Sequence, residues 1–172
     1  MLSLAILAAA AAAAAASPTF TTTSPWWEKV TYTIDGDGAE QSCKYESSAG
    51  SGARICNSDS APKAAKSNAS GSAGAYTKIT IERRFTPGQR PDPGRLEVGD
   101  TLLGGQVMAL AIDGAGTVRS CRVVVASEGV KPAYGCDELR AERFEASASR
   151  ASSQVRQGYM TVIVYGHEAQ LV

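Results

Sequence analysis

The 172-residue sequence has a single histidine, His167, five residues from the end of the chain. Nucleophilic catalysis through imidazole therefore has one candidate base, and no serine occupies a G-x-S-x-G turn. Net charge is also missing, because seventeen basic residues balance seventeen acidic ones. That excludes a basic surface for nucleic acid and an acidic tail. Aromatic residues make up only 6% of the chain, so aliphatic and β-branched side chains must carry the core. A core of that kind is small and gains from covalent staples. No apolar run is long enough to cross a membrane: residues 1–16 would extend ~24 Å as a helix, against a ~30 Å hydrocarbon core. The four cysteines lack the CxxC spacing of a zinc site.

What is present begins with that apolar run. Residues 1–16 are apolar apart from Ser3, and Ser17-Pro18 follows. A short apolar stretch ending in small residues reads as a secretory signal peptide cut after Ala16. The alanine-rich composition suggests a bacterial source, which predicts a periplasmic or secreted protein with no stable membrane span after cleavage. Residues 17–25 form a polar leader, expected to be extended or disordered.

The rest is organised by a duplication. Ile112-Asp-Gly-Ala-Gly-Thr-Val-Arg-Ser-Cys121 repeats Ile34-Asp-Gly-Asp-Gly-Ala-Glu-Gln-Ser-Cys43, with six of ten positions identical. Val30, Tyr32 and Ile34 alternate with polar neighbours, as do Met108, Leu110 and Ile112, which is the period of a half-buried strand. The Asp-Gly turns then reverse each chain into a second strand. Cys43 shares a face with Tyr45, and Cys121 with Val123 and Val125. A helix is expected at 60–66, with Ser60 as cap, and a better one at 136–144. Alternation at Ile79, Ile81 and Phe85, and at Met160, Val162 and Val164, gives each unit a third strand.

The predicted fold is α+β: two tandem units, each a β-hairpin, a short helix and a third antiparallel strand. The first occupies residues 26–86, a Gly- and Pro-rich linker 87–105, and the second 106–172. Four cysteines in an exported chain imply two disulfides in one of three pairings. The repeat favours pairing within units, Cys43 with Cys56 and Cys121 with Cys136. Each bridge would stabilise by roughly 3 kcal/mol.

The second unit resembles the C-terminal domain of TonB-type energy transducers. The likeness rests on the hairpin Val107 to Val125 with its Asp113-Gly114-Ala115-Gly116 turn, the Cys121/Cys136 pair, Arg143-Phe144-Glu145-Ala146, and the strand Tyr159 to Tyr165. It covers about 60 residues. Ala146 stands where similar domains carry proline, and Leu96-Glu-Val-Gly-Asp100 replaces a Tyr-Pro segment. The Pro-Lys spacer of a transducer is missing, so the resemblance implies a TonB-like interaction module without transducing machinery.

No cofactor, metal or catalytic constellation is expected. Asp35-Gly-Asp-Gly38 with Glu46 departs from a calcium loop at Ala39 and Glu40 and reads as a hairpin turn. Glu138 and Glu142 read as solvated helix charges, and Arg83-Arg84 with Arg90 and Arg95 as a solvated strand end. Trp26, Trp27, Tyr159 and Tyr165 are the candidate interaction residues, with packing of the first strand as the plainer role for the tryptophans. The expectation is a non-catalytic exported module that binds protein segments by strand addition at an open sheet edge. Candidate partners are an outer-membrane receptor segment, another envelope protein or a second copy. The alternatives are a small secreted enzyme or inhibitor with a loop-borne site, and a structural envelope component.

Overall fold

The computed structural model describes residues 21–34, 40–48, 77–91, 96–146 and 155–167. The signal peptide, the Asp35–Gly38 turn, Cys56 and the helix expected at 60–66 lie outside these. Six strands and one helix are present among the described residues: β1 (Trp26–Ile34), β2 (Glu40–Ser47), β3 (Lys78–Pro87), β4 (Asp100–Ile112), β5 (Val118–Ala126), α1 (Cys136–Ala141) and β6 (Arg156–His167).

The strands form one antiparallel sheet in the order β2-β1-β3-β6-β4-β5. This corrects the expected α+β pair of units. The third strands of the two halves pair with each other, Lys78–Pro87 running against Gly158–His167 without a register break. The physical reason lies in the edges. A three-stranded sheet under one short helix buries little, and joining the free edges of β3 and β6 satisfies both backbones and merges the cores. The strand order is symmetric about that central pair, with a hairpin at each end.

Directly opposed residues of an antiparallel sheet share a face. One face carries Trp26, Phe85, Met160 and Met108 in a row across four strands, with Val162, Leu110 and Ile112 beside them. Leu139 of α1 and Phe144 just beyond it cover this row, and both have no exposed surface. Trp26 stacks on Phe85 and Phe85 meets Phe144 at a tilt, with ring centroids 6.4 and 5.3 Å apart. Gly158 makes this possible, since a Cβ there would stand 2.7 Å from the Phe85 ring. Residues of both halves thus share a single core.

The helix is shorter than the expected 136–144, ending at Ala141, after which Arg143 and Phe144 bridge to Thr117 and Thr21. The Thr21 N–H donates to the Arg143 carbonyl at 2.7 Å, and the Thr21 carbonyl accepts from the Glu145 N–H at 2.8 Å. The end of the polar leader is therefore tied into the second half. At the other expected boundary, β4 begins at Asp100 and takes up the last residues of the stretch read as linker.

The second hairpin turns at Asp113. Its carboxylate accepts from the Ala115 and Thr117 N–H groups at 2.9 and 2.8 Å. The Thr117 bond, helped by Arg119, holds the Asp113 carboxyl below its ordinary value. Gly116, at φ +81°, is required here because a Cβ would lie 1.9 Å from the Phe144 carbonyl oxygen.

Candidate functional site

The hairpin of β4 and β5 is where the sequence alternation and the structure part company. Val107 pairs with Val125 but Met108 with Val123, so Val124 is an extra residue. A second bulge inserts Arg119, between the pairs Ala111–Ser120 and Ile112–Val118. Cys121 keeps the inward phase opposite Leu110, while Val125 is switched to the second face. Val123 and Val125, expected to point to the core, are 48% and 38% exposed. Bulges of this kind bend an edge strand and limit uncontrolled pairing. Between them Ser120 to Val123 remain in regular register on the outer edge of the sheet.

A disulfide between Cys121 and Cys136 ties this edge strand to α1, with Cα atoms 5.5 Å apart. Cys43 is also disulfide-bonded, and Cys56 lies outside the described residues. A disulfide is compatible with an oxidising, exported compartment.

On the second face, the corner formed by β5, β4 and β6 holds a shallow cavity of about 220 Å³. Its floor is Ala109 and Ala111. Ser120 and Arg122 rim it from β5, and Gln157 and Tyr159 from β6. The small floor residues are what make it a depression, because their neighbours on either strand project further. Arg122 is exposed, and its guanidinium forms no hydrogen bond or ion pair among the described residues. The side chains of Ser120, Gln157 and Tyr159 are likewise uncommitted there. Four polar groups, one of them a cation, thus border an apolar floor beside an open edge. Such a corner can receive a small anionic or hydrogen-bonding group.

The other predicted interaction residues are dispersed. Trp26 is 6% exposed, stacked in the core, with Arg83 5.6 Å from its ring. Trp27 is half-buried on the second face, with the Lys29 ammonium 5.6 Å over its ring. Tyr165 sits on the same face near Lys29 and Glu82, and burial pushes its hydroxyl up. Only Tyr159 reaches the cavity. Tyr159 and Tyr165 both belong to β6, but they point to different parts of the face.

Arg83 is a correction. Read as part of a solvated strand end, it is 8% exposed and sits on the core face of β3. Its guanidinium donates to Glu28 and, at 3.1 Å, to Glu142, and it lies 4.1 Å from the Tyr134 ring centroid. Burial works against its charge, but Glu28 and Glu142 outweigh this and hold it above its ordinary value. Burial and the Glu142 carboxylate push the Tyr134 hydroxyl up, against the pull of Arg83. Glu142, expected on a solvated helix face, is half-buried beyond the helix in this clasp. The sequence did carry the signal: Arg83 falls in phase with Ile79, Ile81 and Phe85.

His167 closes β6 rather than lying past it, and its Nδ1 is 2.9 Å from the Asp100 carboxylate of β4. On the second face Glu82 is 4% exposed between Lys29 and Arg84, at 3.4 Å from the Lys29 ammonium. Among the described residues no three His, Cys, Asp or Glu side chains converge to hold a metal ion, and no helix is long and apolar enough to cross a membrane.

These features define a class: a disulfide-stapled, open antiparallel sheet, covered on one face by a short helix and presenting a bulged edge strand with a polar corner. Set against known protein families, curated proteins and solved structures, the chain matches none. The TonB likeness therefore rests on the motifs quoted from residues 107–165 alone.

Proposed function

We propose that the chain is a non-catalytic binding module of the bacterial envelope, periplasmic or secreted, that takes up an extended protein segment along the outer edge of β5. The observation that carries this reading is the juxtaposition on β5 of a regular edge stretch, Ser120 to Val123, with a cavity whose bordering polar side chains are uncommitted among the described residues. Strand addition obtains affinity from main-chain hydrogen bonds and specificity from alternate side chains. The edge supplies the first and the corner the second. The two bulges then act as stops that restrict pairing to a short segment. The TonB-like motifs of the second half support the reading as a resemblance.

The test is selection of peptides from a displayed library of twelve-residue sequences against the mature chain, followed by amide hydrogen exchange. Selected peptides are expected to slow exchange along β5. N-methylation of alternate peptide residues should abolish binding in one phase and spare it in the other. Binding that is indifferent to both methylation phases, or protection away from β5, overturns the proposal.

A further inference from the structure

Resting on that reading, the structure carries one step more, from the edge to the chemistry of what it takes. Over Val118–Ala126 the edge strand holds two arginines, Arg119 and Arg122, and no acidic residue. Arg119 is already paired with Asp113, at 2.7 Å. Arg122 has no partner among the described residues, and it shares its face with Ser120 on the same strand and with Gln157 and Tyr159 across the cavity. A carboxylate placed there can accept charge-assisted hydrogen bonds from the guanidinium and further bonds from the neighbouring hydroxyls and amide.

The register fixes where it would come from. Residues of an added strand alternate between faces, so a residue opposite Arg122 has neighbours on the other face beside Cys121 and the exposed Val123. The edge therefore selects an acidic residue flanked by apolar ones. A second copy paired through its own β5 is the wrong occupant. Two β5 edges side by side would bring the arginines of one strand near those of the other, and like charges across paired strands are unfavourable.

We infer that the corner formed by Ser120, Arg122, Gln157 and Tyr159 is a carboxylate site, and that the segment bound along β5 is an extended peptide bearing an acidic group between apolar residues. The carboxylate can belong to an aspartate or glutamate side chain or to a peptide C-terminus, because both present the same two oxygens.

The experiment uses the mature chain and acetylated, amidated heptapeptides of alternating valine and threonine whose central threonine is replaced by glutamate or by glutamine. A third peptide ends at that central position with a free carboxylate. Fluorescence anisotropy is expected to show the glutamate peptide binding about tenfold more tightly than the glutamine peptide, as for a charge-assisted hydrogen bond near a surface. Arg122→Gln, at an exposed position, should remove that difference. Arg122→Glu should reverse it in favour of a lysine-centred peptide. Recovery of affinity by the free C-terminus supports the site and assigns it to chain ends, whereas the glutamate peptide alone binding assigns it to side chains. Equal binding of glutamate and glutamine peptides, unchanged in Arg122→Gln, overturns the carboxylate site while leaving strand addition at β5 standing. If none of these peptides binds at millimolar concentration, both the carboxylate site and strand addition at β5 are rejected.

Discussion

Arg83 holds two carboxylates at the junction of the two halves. Glu28 comes from β1, Glu142 from the segment after α1, and Tyr134 closes the other side, its hydroxyl donating to Glu142. The side chains of Arg83, Glu28 and Glu142 are 10%, 12% and 20% exposed. Removing the cation leaves two carboxylates facing each other out of water. Breaking a buried pair by deleting one partner costs about 3–5 kcal/mol. Arg83→Met is therefore expected to lower the unfolding free energy measured in urea by that amount, and Glu28→Gln in the same background to recover part of the loss. A change below about 1 kcal/mol in Arg83→Met would assign the clasp to surface electrostatics instead. The period-2 phase of β3 placed Arg83 inward. What the sequence did not contain was the pair of carboxylates that makes an inward arginine tolerable, because they arrive from positions 55 residues before and 59 after it.

The strands with one buried face were the most legible elements. Val30 and Tyr32, Met108 and Leu110, and Met160 and Val162 each hold a strict alternation, and the sheet uses the phases they announce. The hairpin turn at Asp113 was readable from its Asp-Gly chemistry, and the Cys121–Cys136 bridge from the repeat. The β5 edge was not. A bulge leaves no trace in hydropathy, so Val125 reads as core although Val124 has been inserted beside it and reverses the phase. The corner was partly hidden for the same reason. Tyr159 was a candidate, but Arg122, Ser120 and Gln157 are ordinary polar residues until β4 supplies the alanine floor between them. The bridge itself has a measurable role. It fixes α1, only six residues long, over the core through Leu139. A helix of that length is unstable alone. Cys121→Ser combined with Cys136→Ser should lower stability by about 3 kcal/mol and speed amide exchange in α1 well beyond that in β3 and β6. Unchanged exchange in α1 would show that the packing of Leu139 and Phe144 holds the helix without the staple.

For the molecule as a whole, the outcome turned on how two similar halves meet. Periodicity describes a strand's faces and says nothing of its edges, so two separate three-stranded sheets and one six-stranded sheet are the same pattern in the sequence. The edges of β3 and β6 decide between them, and the core decides with them: Trp26 and Phe85 of the first half and Met160, Val162 and Phe144 of the second belong to one buried cluster. Two units joined by a linker would unfold independently, whereas a shared core and an unbroken central pairing make each half depend on the other. The expected result is a single unfolding transition, with tryptophan fluorescence, which reports β1, and far-ultraviolet circular dichroism giving coincident curves. Calorimetric and van't Hoff enthalpies should agree. Phe85→Ala, in the first half, removes a fully buried ring and should cost about 3–5 kcal/mol. It should lower the midpoint seen by exchange in β4 as much as that seen in β1. Gly158→Ala makes the same test from β6, since its added Cβ would meet the Phe85 ring. Two separated transitions, or a Phe85→Ala effect confined to β1 and β3, would show that the halves fold as independent units despite the continuous sheet.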